Sequence, residues 1–215
     1  MSKPYTESDL TSQLIADRNW RLKEISDLKT AAYRGDNSLR TVLLRALVTI
    51  CYAHWEGYVR FAARKYLEHI ALKRLPYKKL GRQFLRNYFM PRLAALSRSN
   101  SSLMERCNLV DQILGASDLR FSRVHEDLVN TRSNLNFEVF SDICLVCSIS
   151  VDPFAGDRNF IDIVLLKRRN AIAHGEDTFV AIDALELLSN QTIALMRGFG
   201  DALENIVYQK EYAAA

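Results

Sequence analysis

Apolar residues recur at spacings of three and four along most of the chain. From Leu39 the series runs Leu39, Val42, Leu43, Ala46, Leu47, Ile50, His54, Tyr58, Phe61 and Ala62, one helical face followed for about six turns. A second stripe, Val48, Tyr52, Trp55, Val59 and Tyr66, makes this helix apolar around most of its circumference, the pattern of a helix at the centre of a bundle. Leu14, Leu22, Ile25 and Leu28 predict an amphipathic helix before it with a charged outer face, and Gly35-Asp36-Asn37-Ser38 the turn between the two. Farther on, a helix is expected after Asn134 as its N-cap, carrying Leu135, Val139, Ile143, Val146 and Cys147 and ending near Asp152-Pro153. The next opens near Asp157 and runs to His174, with Gly175 where a left-handed C-terminal cap belongs. The last starts near Thr178 and repeats at Ile182, Leu185, Leu188, Thr192, Leu195, Phe199 and Ile206. Residues 73–130 read as shorter helices broken by Pro76, Gly81, Pro91 and the Ser/Arg/Asn run at 97–102. There is no βαβ alternation and no glycine-rich phosphate loop. The expected fold is all-α, a single domain over 1–215 built as a helical bundle with a helical insertion at about 73–130.

Composition narrows the class further. With 215 residues, 48% hydrophobic and 25% charged, the chain can bury a core, which excludes disorder over most of its length. Eight Gly and four Pro are too few for the many tight turns of a sandwich or barrel. No stretch approaches the ~20 apolar residues of a membrane span, and the start Met-Ser-Lys-Pro-Tyr-Thr-Glu-Ser-Asp-Leu lacks the apolar core of a secretory signal. These features predict a cytoplasmic protein with no membrane partner. Cys144 and Cys147 form a CxxC inside an apolar run, but nothing completes a zinc site, and they read as core thiols. Acids and histidines at metal-ligand spacing are absent, so neither metal nor cofactor is expected.

Charge is concentrated. Between His69 and Met104 there is no Asp or Glu, while Lys73, Arg74, Lys78, Lys79, Arg82, Arg86, Arg92 and Arg98 supply eight cations to a chain whose net charge is +4. Tyr77, Phe84, Tyr88 and Phe89 are interleaved with them. Cations beside aromatics suit single-stranded RNA, whose phosphates and bases they can hold. An amphipathic helix with a solvated cationic face and aromatics in the core has the same pattern. Lys78, Lys79, Arg82 and Arg86 are the candidate RNA contacts.

The chemistry is densest at Arg168-Arg169-Asn170-Ala171-Ile172-Ala173-His174-Gly175-Glu176. Arg169 and His174 are five positions apart, about 140° around a continuous helix, so they would not share a face. A helix ending at Ala173 or His174 frees the imidazole to turn toward Arg169. Metal-free RNA cleavage needs a base for the 2′-hydroxyl proton, an acid for the leaving 5′-oxygen and a cation for the charge on phosphorus. Histidine serves as base or acid near neutrality, and arginine grips phosphate with a charged fork. Asn170 is placed to orient the imidazole or contact phosphate, and Arg168 to bind RNA. One site supplies one histidine, so complete acid–base chemistry is easiest across a symmetric dimer.

The stretch Arg169-Asn170-x-x-Ala173-His174-Gly175 resembles the R-x4–6-H signature of the HEPN superfamily. Residues 50–67, with Ala-His-Trp-Glu-Gly-Tyr-Val at 53–59, and the run Asn134-Leu135-Asn136 resemble a bacterial HEPN-like nuclease branch. That resemblance implies an up-and-down bundle of four to five main helices, a homodimer with a composite active site, and metal-independent endoribonuclease activity with Arg169, His174 and Asn170 as catalytic residues. It also implies a role as a toxin or anti-phage, abortive-infection effector, with a cognate antitoxin as partner in the first case. Some HEPN proteins bind RNA or nucleotides without catalysis, which is the alternative reading. Three further acids are candidate supports. Glu56, in the nearly all-apolar helix, pairs with Arg60, bonds a neighbouring helix, or orients Arg169 or His174. Asp162, seven residues before Arg169 and so on the same helix face, pairs with a cation or an interface group. Glu176 bonds His174 or caps the following helix. His54 reads as a hydrogen-bonded core histidine.

Overall fold

Helices account for every long element of the computed structural model, which describes residues 2–98 and 101–214. Helix α1 spans Glu7–Arg34 and starts at a reciprocal capping box, in which Thr6 Oγ1 accepts from Asp9 N at 3.0 Å and the Asp9 carboxylate accepts from Thr6 N at 2.9 Å. Gly35 and Asp36 reverse the chain, and the Asp36 carboxylate, accepting from Leu39 N at 2.9 Å, starts α2 over Asn37–Leu72. The reversal is two residues shorter than the four-residue turn expected. At 36 residues α2 is about 54 Å long. It is buried on most of its circumference, and α1 and α7, Ala184–Gln209, pack against it and against each other.

Aromatic packing joins the remaining elements to α2. Trp55 is fully buried with its ring 5.0 Å from Phe140 of α5, Phe137–Val146. Phe140 meets Phe154 at 5.2 Å and Phe199 of α7 at 5.5 Å, both edge to face. Helices α3, Arg82–Arg98, and α4, Leu103–Leu114, enclose a small separate cluster of Phe89, Leu109 and Ala116. Among the described residues there is no strand, only isolated bridges Pro76–Arg120 and Leu80–Ala213.

Several expected boundaries move. Pro91 lies inside α3 and does not break it. Helix α5 stops at Val146, not near Asp152, and a 3-10 helix over Asp152–Asp157 follows. The last helix begins at Ala184, six residues after Thr178. Asn136 is the N-cap of α5, with its Oδ1 accepting from Val139 N at 2.8 Å, in place of Asn134. Positions 99 and 100 of the Ser/Arg/Asn run lie outside the described residues. The aromatics of the basic segment also divide: Tyr77, Phe84 and Phe89 are core, and only Tyr88 reaches the surface.

Two histidines are built into this core. His69 is fully buried, its Nδ1 donating to the Pro4 carbonyl at 2.8 Å, and His54 Nε2 lies 2.7 Å from the Glu24 carboxylate. Burial holds both below the ordinary histidine pKa of 6.5; Lys73 adds to this at His69, while Glu24 opposes it at His54. Just below pH 6.5 the unfolded chain therefore binds more protons than the folded one, so stability is full above that window and falls as pH drops through it. The urea midpoint is expected to be lower at about pH 5.5 than at about pH 7.5. Equal midpoints would show that neither histidine is held neutral by the fold.

Candidate active site

The helix carrying the motif is irregular. Phe160–Lys167 is π-helical, with i→i+5 bonding, and continues directly into α6, Arg168–Ala173. Seven residues are thus not two helical turns here, and Asp162 does not share a face with Arg169 as α-helical spacing implies. Asp162 Oδ1 instead accepts from Phe137 N at 2.7 Å, satisfying a second free amide at the start of α5.

The helix terminates as the glycine implies. Gly175 N donates to the Ile172 carbonyl at 3.1 Å and Glu176 N to the Ala171 carbonyl at 2.9 Å, the paired bonds of a Schellman end. Gly175 has φ +79°, a left-handed conformation, and a Cβ built there meets nothing within 4 Å. Gly175→Ala is therefore expected to add only backbone strain, about 1–2 kcal/mol, lowering Tm by roughly 2–8 °C. An unchanged Tm in a thermal melt would show that the terminus relaxes out of this geometry.

Arg169 is half-buried and held from two sides. Its guanidinium carbon lies 4.0 Å from the centre of the Tyr52 ring, and Nη2 donates to Asn134 Oδ1 at 3.1 Å. Both partners are themselves fixed. The Tyr52 hydroxyl accepts from Leu135 N at 2.7 Å, and Glu56 accepts from Thr131 Oγ1, also at 2.7 Å. Burial pushes the Tyr52 pKa up against the opposing pull of the Leu135 amide. Successive turns of α2 thus pin the 131–135 loop, which presents Asn134 to Arg169. Arg169 Nε is buried without a hydrogen-bond partner, an uncommon condition that needs a reason.

His174 is the C-cap residue of α6, its backbone N bonded to the Asn170 carbonyl at 2.9 Å and its imidazole exposed. Among the described residues no hydrogen bond joins that imidazole to Arg169 or to Glu176. Glu176 does not cap α7. Its amide completes the Schellman end, and its carbonyl accepts from Arg45 Nη2 at 3.0 Å. Arg45 also donates to the Thr178 carbonyl at 3.4 Å and lies 3.7 Å from Asp177, so α2 fixes the chain just beyond the motif. Asn170 and Arg168 are half-buried, and no side-chain hydrogen bond or ion pair engages either among the described residues.

The remaining candidates separate. Glu56 bonds Thr131, in the loop before α5, and not Arg60, one of the partners expected. Lys78 pairs with Asp118 at 2.7 Å, Arg86 donates to Gln83 at 3.4 Å, and Lys79 and Arg82 are exposed. Cys144 and Cys147 are buried; burial pushes the Cys144 thiol up to about 12 and Cys147 up as well, so both are core thiols. Tyr52, Arg45 and Thr131 escaped the sequence reading. The signal for Tyr52 was present, an aromatic one turn before the isolated acid Glu56.

The fold is an all-α bundle around one long apolar helix, and the family match places it among HEPN domains, modules of nuclease and RNA-binding type. The RiboL-PSP-HEPN family model matches residues 16–205, and the chain belongs to that family. No curated protein and no solved structure matches it. No helix among the described residues is long and apolar enough to cross a membrane.

Proposed function

We propose that the protein is a metal-independent endoribonuclease, acting in the cytoplasm as a homodimer with Arg169, His174 and Asn170 in a composite site. The observation that carries this reading is the contrast within the motif. Arg169 is locked between Tyr52 and Asn134 with its buried Nε donor unspent, while His174, at a sharply ended helix, keeps an exposed imidazole free of hydrogen bonds among the described residues. A fixed cation and a free imidazole are what phosphodiester cleavage needs from one protomer. In the reaction, an imidazole takes the proton of the 2′-hydroxyl, whose oxygen attacks phosphorus. The phosphorus–O5′ bond breaks, a second imidazole protonates the leaving oxygen, and a 2′,3′-cyclic phosphate and a 5′-hydroxyl result. Arg169 stabilises the charge on the equatorial oxygens.

Two histidines imply two protomers. Exposed apolar side chains flank the motif: Phe179 is 81% exposed and Val42 61%, near the point where Arg45 ties the 176–178 segment to α2. Such residues on a soluble surface favour a covered face. Arg168 and the exposed Lys79, Arg82 and Arg86, with Lys78, draw in RNA electrostatically. A role as a toxin with a cognate antitoxin, or as an anti-phage effector, follows from the HEPN resemblance. The alternative, binding without cleavage, draws support from the absence of a bond between Arg169 and His174 within one chain. The deciding experiment incubates the purified chain with end-labelled RNA in excess EDTA and identifies the product ends. Cyclic phosphate products support the proposal, and RNA bound but intact supports the alternative.

A further inference from the structure

Two adjoining hollows lie away from the motif. One, of about 480 Å³, is walled by Tyr77, Asn87, Tyr88, Arg92 and Phe121; the other, of about 590 Å³, by Lys3, Arg64, Glu68 and Glu126. Arg123, Val124 and His125 line both, so the two form one cleft, aromatic at one end and charged at the other. We propose that this cleft docks a single-stranded segment of the RNA substrate, stacking a base on the Tyr88–Arg92 pair and holding the neighbouring phosphates on Arg123 and Arg64. The proposal rests on the reading of the protein as RNA-directed.

Arg92 is prepared for this. Its guanidinium carbon lies 4.4 Å from the Tyr88 ring centre, Nη2 donates to the Tyr88 hydroxyl at 2.8 Å, and Nη1 donates to Gln112 at 2.6 Å. The plane is exposed yet fixed at both ends, and no carboxylate pairs with it among the described residues. Tyr88 is backed by Tyr77 at 5.4 Å. A rigid guanidinium over an aromatic ring is a platform that any base can stack on.

Charge complementarity favours a polyanion. Lys3, Arg64, Arg92 and Arg123 face Glu68 and Glu126, and Glu68 is engaged by Lys65 at 3.0 Å. No ion pair involves Arg64, Arg92 or Arg123 among the described residues. The cleft also connects to the motif. Arg64, which lines the cleft, donates from Nη2 to the Val129 carbonyl at 3.5 Å, and Leu135 N donates to the hydroxyl of Tyr52, whose ring Arg169 covers. One short loop therefore spans the two places, about 18 Å apart along α2, with exposed Arg60 between them on the helix. Arg82 and Arg86 lie on the far side of α3, roughly opposite Asn87, Tyr88, Pro91 and Arg92 around the helix, so this surface differs from the one the basic run implied.

The test uses the full chain carrying His174→Ala, so that RNA stays intact, and measures anisotropy of a fluorescein-labelled oligouridine. Arg92→Ala is expected to weaken binding about tenfold, and Arg123→Ala severalfold. Arg197→Ala, an exposed cation on α7 outside the cleft, leaves it within about twofold. Arg92→Lys keeps the charge and loses the plane, and is expected to weaken binding nearly as much as alanine; it also serves if Arg92→Ala lowers the melting temperature. Binding within about twofold of the parent for the Arg92 and Arg123 variants would overturn the proposal, as would polyglutamate competing as well as RNA of equal charge. The two readings fail separately. Binding that depends on Arg92 without cleavage by the His174 chain removes the nuclease and leaves the cleft. Cleavage with binding indifferent to Arg92 removes the cleft alone.

Discussion

With His174 replaced by alanine, RNA cleavage in EDTA is expected to fall by about 10²–10⁴-fold, the usual contribution of a positioned acid or base, while the protein melts where the parent does. The second half follows from the environment. The imidazole is exposed, no hydrogen bond holds it among the described residues, and its backbone contact to Asn170 survives truncation. A surface change of this kind costs within about 0.5 kcal/mol. The measurement is initial cleavage rate of a labelled RNA, with circular dichroism melts in parallel. Parental cleavage by the variant would remove His174 from the mechanism.

Arg169→Lys provides the second large effect and separates charge from geometry. Lysine keeps the positive charge but has no planar fork to cover Tyr52 while donating to Asn134, and Arg169 does both, with its guanidinium carbon 4.0 Å from the ring centre. Losing a positioned electrostatic group costs about 10²–10³ in rate, and the lysine variant is expected near that level, with Arg169→Ala at least as low. Asn134→Ala should fall between parent and lysine variant, lowering kcat more than it raises KM, because the cation remains and only its fixation is lost. Rescue of full activity by lysine would mean that a point charge suffices and that Tyr52 and Asn134 serve stability alone.

How much of this was legible depends on how local each signal is. The central helix, the end of α6 at His174 and the left-handed Gly175 were readable, since periodicity and capping are written in neighbouring residues. The π-helical segment was not. Phe160–Lys167 has the composition of an ordinary apolar helix, and nothing in its residue spacing marks the i→i+5 bonding that the fold adopts. For the same reason the shared face for Asp162 and Arg169 was lost. In the Asn134-Leu135-Asn136 run the two asparagines look alike, and either can cap a helix. The fold gives the cap to Asn136 and turns Asn134 to Arg169, thirty-five positions away.

The aromatics of the basic segment teach the same lesson. Tyr77, Phe84 and Phe89 are indistinguishable from Tyr88 by spacing, yet three are buried and one forms a platform with Arg92. The amino-acid order on its own determined the helical class, the long buried helix and the place where the motif helix stops, because each depends on contacts within a turn or two. Only the folded chain decided which cation is clamped, by which ring and amide, and which residues line the cleft beside Arg92. Those outcomes depend on groups brought together across tens of residues, and their pairing energies exist only once the helices have packed.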